Sequence, residues 1–388
     1  MQRRDVHLME GSRYFDYAAS APPFSEALDA QAKAARRWFG NPSAGHAAGR
    51  AAALEQRRLK GTCARLLDFP DGRVVLMSGA TEANNWVIRS VMARFPKGRL
   101  LVAADVHASV WQTARLFAER MDVLAPDRMG RVTPAALADA LSSDTRLFCC
   151  SHAANETGVI HDVAALSALC ARRGVLCHAD GAQAVGHLPV RLSELCCEFY
   201  VFAAHKFGGP RGCGGVCLRW DGGSVWLAGG EQEGGLRAGT ENLPGLAGAA
   251  AALEQSQAVQ PCEAVRLRRL ACRLAEAARK TDTECLVNGD PVAGLPGLVS
   301  ISFAGLDGHA LAADLDQQGF SVGTGSACSE SKPEPSRTLL ALGLSPREAL
   351  GTVRISMGRL TRDSDVDELS EALTTTVRRH KGFGRGTG

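Results

Sequence analysis

The sequence is poor in aromatic residues, which make up 5% of its 388 positions, with only 3 tyrosines. Its interior must be built from Ala, Leu and Val, and 42 glycines let backbones approach closely. Long apolar runs are missing too. The longest, around residues 245–253, is mostly Ala and Gly and falls short of a membrane span. The N-terminal MQRRDVHLMEGSR has charges but no signal-peptide core, so a cytoplasmic location with reduced thiols is expected. No charge of one sign dominates: 44 Lys and Arg against 41 Asp and Glu leave +3, too little to point to nucleic acid or a membrane. Basic residues are dispersed among acids without the aromatic interleaving of a single-strand binder. The absence of any Gly-Lys dipeptide excludes a Walker A loop, and GGPRGCGG at 208–215 lacks dinucleotide-binding spacing. A disulfide framework is missing as well, since the 13 cysteines are scattered and odd in number. Cys213 and Cys217 have no second pair beside them, so no metal site is expected.

What is there reads as an α/β chain of two domains. LFCCSHAAN, GVLCHADGA and FYVFAAHKF are short apolar runs that stop at polar or glycine-bearing residues, as buried strands feeding functional loops do. HDVAALSALCARRG lies between the first two, with Val163, Leu166 and Leu169 at helical spacing and Gly174 as its stop. Strand–helix–strand order implies a mostly parallel central sheet with ligands at the carboxyl ends of its strands. After a charged helical stretch, EAVRLRRLACRLAEAARK, a smaller α+β unit follows, with strands in GLVSISFAG and GTVRISMGR and a last helix over about 365–380. We place the boundary near 258–262. The large domain is then 14–258, and 1–13 with 259–388 form the small one.

Three local signals carry chemistry. Lys206 follows a buried-looking strand and precedes glycines, where an amine loses solvation and becomes a nucleophile toward an aldehyde; alone, it would read as a loop lysine. Asp180 ends its strand in HADGAQ, where a carboxylate keeps a pyridine nitrogen protonated, or simply caps a turn. Ser78-Gly79-Ala80-Thr81-Glu82 opens a helix-like run and offers N–H groups to a phosphate, or an ordinary capping box. Together they describe a phosphorylated aldehyde cofactor.

At this point the chain resembles the cysteine desulfurases, of the class V aminotransferase branch of pyridoxal-phosphate fold type I. The motifs run nearly end to end: YFDYAASAPP (14–23), FGNPSAGH (39–46), SGATEANN (78–85), HAANETG (152–158), HADGAQ (178–183), His205-Lys206, GGEQEGGLRAGTEN (229–242), GTGSACSES (323–331) and VRISMGR (353–359). The resemblance implies pyridoxal 5′-phosphate bonded to Lys206, which then moves the substrate α-proton. It implies Asp180 at the ring nitrogen, Gln183 at the phenolic oxygen, and His107 stacked on the ring as a catalytic residue beside Lys206. The Gly79–Ala80 backbone, Thr81 and His205 would hold the phosphate, and Thr240 would reach the phosphate in a second subunit of a homodimer. Asn155, beside the cofactor, and Arg354 would hold the carboxylate of L-cysteine.

Cys328 is the residue that separates desulfurases from the aminotransferases of this branch. Its setting in SVGTGSACSESKPEPSR (321–337) is rich in Gly, Ser and Pro, so an exposed, mobile loop over about 321–336 is expected. By the resemblance its thiolate takes sulfur from cysteine as a persulfide and carries it to an acceptor protein, such as an iron–sulfur scaffold or sulfur carrier. The other twelve cysteines need no role beyond packing. The chain departs from the family pattern at Ala203 and Ala204, where a serine usually stands, and at Ala154, Ala228 and Glu231. A selenocysteine lyase or aminotransferase, in which Cys328 is incidental, and a non-catalytic scaffold are the rival readings.

Overall fold

The computed structural model describes residues 13–324 and 334–384. Twelve strands are present among them: β1 (Arg13–Phe15), β2 (Arg73–Met77), β3 (Arg99–Ala103), β4 (Met121–Leu124), β5 (Thr145–Ser151), β6 (Leu176–Asp180), β7 (Phe199–Ala203), β8 (Gly214–Leu218), β9 (Leu286–Asn288), β10 (Leu298–Ser302), β11 (Phe320–Thr324) and β12 (Thr352–Ser356). The three apolar runs read from the sequence are β5, β6 and β7. Almost every residue in them is buried, as for strands covered on both faces.

Seven strands form one sheet in the order β2-β8-β7-β6-β5-β3-β4. β8 alone runs against its neighbours, so the sheet is mostly parallel, as expected. The helix Val163–Arg172 crosses between β5 and β6. Asp162 caps it through the Ala165 N–H at 3.0 Å, and Gly174, at φ +66°, turns the chain just past its end. The helix Ala80–Arg94 covers this sheet with Trp86, Val87, Ile88 and Val91, all fully buried. A second sheet, β1-β11-β12-β10-β9, is antiparallel except for the β1–β11 pair and packs its own core of Ile301, Phe303, Ile355 and Leu369. Phe15 belongs to that core, so β1 joins the small sheet although most of it was expected in the large unit.

The expected boundary at 258–262 falls inside one 39-residue helix, Leu243–Thr281, which carries Pro261. Leu246 and Leu253 pack in the first core and Leu267, Leu270 and Leu274 in the second. Pro261 lacks one N–H donor, but strong helix formers on both sides keep the helix continuous. The carboxyl ends of β2, β3, β5, β6 and β7 share one edge of the large sheet. The loops that follow them build the site.

Candidate active site

Along that edge lies a cleft of about 660 Å³. β6 delivers Asp180, 5% exposed, whose Oδ1 accepts from the Ala182 N–H at 3.0 Å and whose Oδ2 accepts from Asn84 Nδ2 at 2.8 Å. One donor on each oxygen fixes the plane of the carboxylate. Gln183, one turn on, donates from Nε2 to the Ala18 carbonyl at 2.8 Å. β7 delivers His205 and Lys206 in a short 3-10 turn. Lys206 Nζ donates to the carbonyls of Ala18, at 2.6 Å, and Ala19, at 3.1 Å. Burial, helped by the Arg354 charge, lowers its pKa to about 8. His205 is lowered to about 4 by burial, then by Lys206 and Arg211, so it is neutral at pH 7.

Ser78 to Glu82 form another wall. Gly79 precedes the helix Ala80–Arg94 and gives no side-chain cap, while the Ser78 N–H is taken by Glu82 Oε2 at 2.7 Å. A Cβ built on Gly79 meets nothing within 4 Å, so this backbone faces open space where a phosphate group fits. His107 caps the helix Ala108–Arg115 and presents a face to the same cleft, as does Asn155. The cleft thus gathers Ala80, Thr81, His107, Asn155, Asp180, Gln183, His205 and Lys206. A desolvated amine, a carboxylate across from it and a helix start ringed by donors suit a phosphorylated aromatic aldehyde.

Two expected residues do not line the cleft itself, although Arg354 borders it through Asn155. Arg354, on β12 and 5% exposed, is not among the side chains lining the cleft. Its Nη2 pairs with Asp16 Oδ1 at 2.8 Å, its Nη1 donates to the Asn155 carbonyl at 3.0 Å, and its Nε has no partner. Thr240 is exposed and outside this cleft. Cys328 lies outside the described residues. On either side of that segment, Thr324 pairs with Val353 next to Arg354, and Ser336 donates to Glu156 beside Asn155. Arg337 stacks on Trp111, 4.1 Å from its ring centre.

The sequence reading did not single out Asp16, Asn84, Ser109 or Arg211. Arg211 lines the cleft near His205; Asn84 and Ser109 hold Asp180 and His107 from behind. Asn84 falls inside the SGATEANN motif, and its second signal was a polar residue on the apolar face of its helix. The other cysteines divide differently from expectation. Cys149, Cys150, Cys170 and Cys177 are buried, but Cys196 and Cys262 are exposed, on the surface rather than in the core. Among the described residues, no group of three or more His, Cys, Asp and Glu gathers as a metal site. No helix among them is long and apolar enough to cross a membrane.

Residues 13–369 match the family described as aminotransferase class-V. The chain is 34% identical over 379 residues to a "Cysteine desulfurase IscS" of Dictyoglomus turgidum, covering 95% of each. Among solved structures it resembles a "NifS-like protein" at a TM-score of 0.87 and 27% identity, covering 95% of this chain and all of that one. It also resembles "SspA in complex with cysteine", at a TM-score of 0.77 and 25% identity, covering 89% and 99% respectively.

Proposed function

The chain belongs to the class-V aminotransferase family, and we propose that it is a pyridoxal-phosphate-dependent cysteine desulfurase. The reaction is L-cysteine plus an enzyme thiol giving L-alanine plus an enzyme persulfide, which balances in atoms and electrons. One observation carries the reading: a lysine amine lowered to about 8 in one cleft with an anchored aspartate, in a chain whose full-length relatives are named cysteine desulfurases. When bound, pyridoxal phosphate supplies an aldehyde for amines and a ring that draws electron density from the substrate. Lys206 Nζ would hold the aldehyde carbon of that group, and would take and return the substrate α-proton. Asp180 would keep the ring nitrogen protonated, Gln183 would bond the phenolic oxygen, and His107 would face the ring. The backbone of residues 79–80, Thr81 and His205 hold the phosphate, His205 as a neutral donor. Asn155 and Arg354 receive the substrate carboxylate, Arg354 in exchange for part of its bond to Asp16.

Cys328 is proposed as the thiol that takes the sulfur. Before that segment Gly323 pairs with Arg354, and after it Ser336 donates to Glu156, the chain neighbour of Asn155, which supports this role. The domain division at 258/259 belongs to the same proposal; the two separate sheets and cores support it. A homodimer is part of it too. Phe39 (80% exposed), Leu54 and Val225 are large exposed apolar side chains. Gln232, in the loop that leads to Thr240, bonds Ser43 in the 39–46 segment. A second copy seated there would cover this surface and receive Thr240. An intracellular sulfur acceptor, such as an iron–sulfur scaffold, completes the reading; the name IscS on relatives favours it.

The test is to incubate the cofactor-loaded protein with L-cysteine, measuring alanine and the persulfide trapped by alkylation. Alanine in step with a Cys328 persulfide is expected, with both lost in Cys328→Ala. Alanine that persists in Cys328→Ala would overturn the thiol's role and favour a lyase of another kind.

A further inference from the structure

Behind the cleft one buried amide joins two of its working residues. Asn84 is fully buried in the helix Ala80–Arg94. Its Nδ2 donates to Asp180 Oδ2 at 2.8 Å and to Ser109 Oγ at 2.9 Å, while its Oδ1 accepts from His178 Nε2 at 2.9 Å. Charge fixes this orientation, because the reversed amide would point an oxygen at the Asp180 carboxylate. His178 Nδ1 is buried without a partner, as a lone pair on a neutral Nε2–H ring would be. Ser109 Oγ accepts from Asn84 and lies 2.8 Å from His107 Nδ1, where a hydroxyl can either donate or accept. The Ser109 backbone N–H points at the same nitrogen at 3.1 Å. A backbone N–H only donates, so Nδ1 must carry a lone pair, and the Ser109 hydroxyl is then the donor to it.

We propose that His107 is held as its neutral Nε2–H tautomer and that Ser109, oriented by Asn84, is the positioning residue that holds it there. The chain of donors runs one way, from His178 through Asn84 and Ser109 to His107. Its consequence rests on the reading of His107 as a cofactor-facing residue. On the cleft side His107 offers a hydrogen and no lone pair. It can donate a hydrogen bond there but cannot accept a proton, so proton removal falls to another group of the cleft, which in the proposed function is Lys206 Nζ. Protonating His107 would place a hydrogen on Nδ1 against the Ser109 N–H. Of the charges around it, Asp180 favours protonation, while Lys206, Arg337 and Arg354 oppose it together with burial. The same Asn84 amide also holds Asp180, so a single side chain sets the polarity of both groups.

The test is long-range ¹H–¹⁵N correlation on histidine-labelled protein, cofactor-free and loaded, with His107→Gln to assign the signal. The expected result is an Nε2–H tautomer at pH 7 in both forms. Ser109→Ala should raise the His107 titration midpoint by about one pH unit, the size of one lost hydrogen bond, and Ser109→Thr should restore it. An Nδ1–H tautomer, an imidazolium at pH 7, or an unmoved midpoint in Ser109→Ala would overturn the proposal. Asn84→Ala strands His178 and Asp180 and threatens folding, so Ser109 is the position to change. The measurement needs no turnover: a protein that makes no persulfide yet shows the Nε2–H tautomer refutes the desulfurase reading and leaves this one standing.

Discussion

Lys206 offers the most direct check on the chemistry of the cleft. An ordinary lysine has a pKa of 10.5, and burial followed by the Arg354 charge brings Lys206 to about 8. At pH 7 about one molecule in ten then carries a free amine, ~300-fold more than at the ordinary value. This is the fraction able to attack an aldehyde. The sign for stability follows. Between pH 8 and 10.5 the folded, cofactor-free chain has released the Lys206 proton while the unfolded chain still holds it. The Lys206 contribution therefore improves as pH rises through that window and is unfavourable below it. Trace acetylation of cofactor-free protein across pH 6–11, followed by mass spectrometry of the Lys206 peptide, reads the free-amine fraction. The rate should rise about tenfold per pH unit up to pH 8 and then level. Arg354→Gln should move the midpoint upward, and by less than the whole shift, because burial is the larger cause. A midpoint above about pH 9.5 in the unaltered protein would refute the argument that burial and Arg354 activate this amine.

Ala203 lines the cleft close to His205, so under the proposed function Ala203→Ser should add one donor toward the phosphate. A hydrogen bond to a charged group is worth about 1.5–3 kcal/mol, so pyridoxal-phosphate titration should give at least tenfold tighter binding, with pyridoxal itself unaffected. Leu54, 63% exposed on the helix Ala47–Leu66, is expected in the interface between copies. Leu54→Glu should then lower the mass seen by light scattering from dimer toward monomer, whereas an unchanged mass would place the interface elsewhere.

The strands and the motif residues at their ends were legible in the sequence because both are local. A buried parallel strand is a run of apolar residues, and the chemistry sits at its carboxyl end, as with Asp180 after β6 and Lys206 after β7. Two features were not legible. The long helix hid the passage between the two sheets, because helix formers flank Pro261 and the change of core leaves no break in the chain. The supports of the site were hidden for a different reason. The Ala18 carbonyl accepts from both Lys206 and Gln183, and Asn84 reaches Asp180 and His178, contacts that join residues 94 to 188 positions apart. A carbonyl has no side chain to stand out, and alanine is the commonest of fillers. Only the fold shows that Ala18 works through its backbone, and that a change there acts by moving the chain. Ala18 is 5% exposed, and its own N–H is held by Ser356 Oγ at 2.9 Å, on the small sheet. The lysine and glutamine of one sheet are thus steadied by a segment fastened to the other. The geometry of the amine therefore depends on how the two sheets sit together as well as on the strand that carries it.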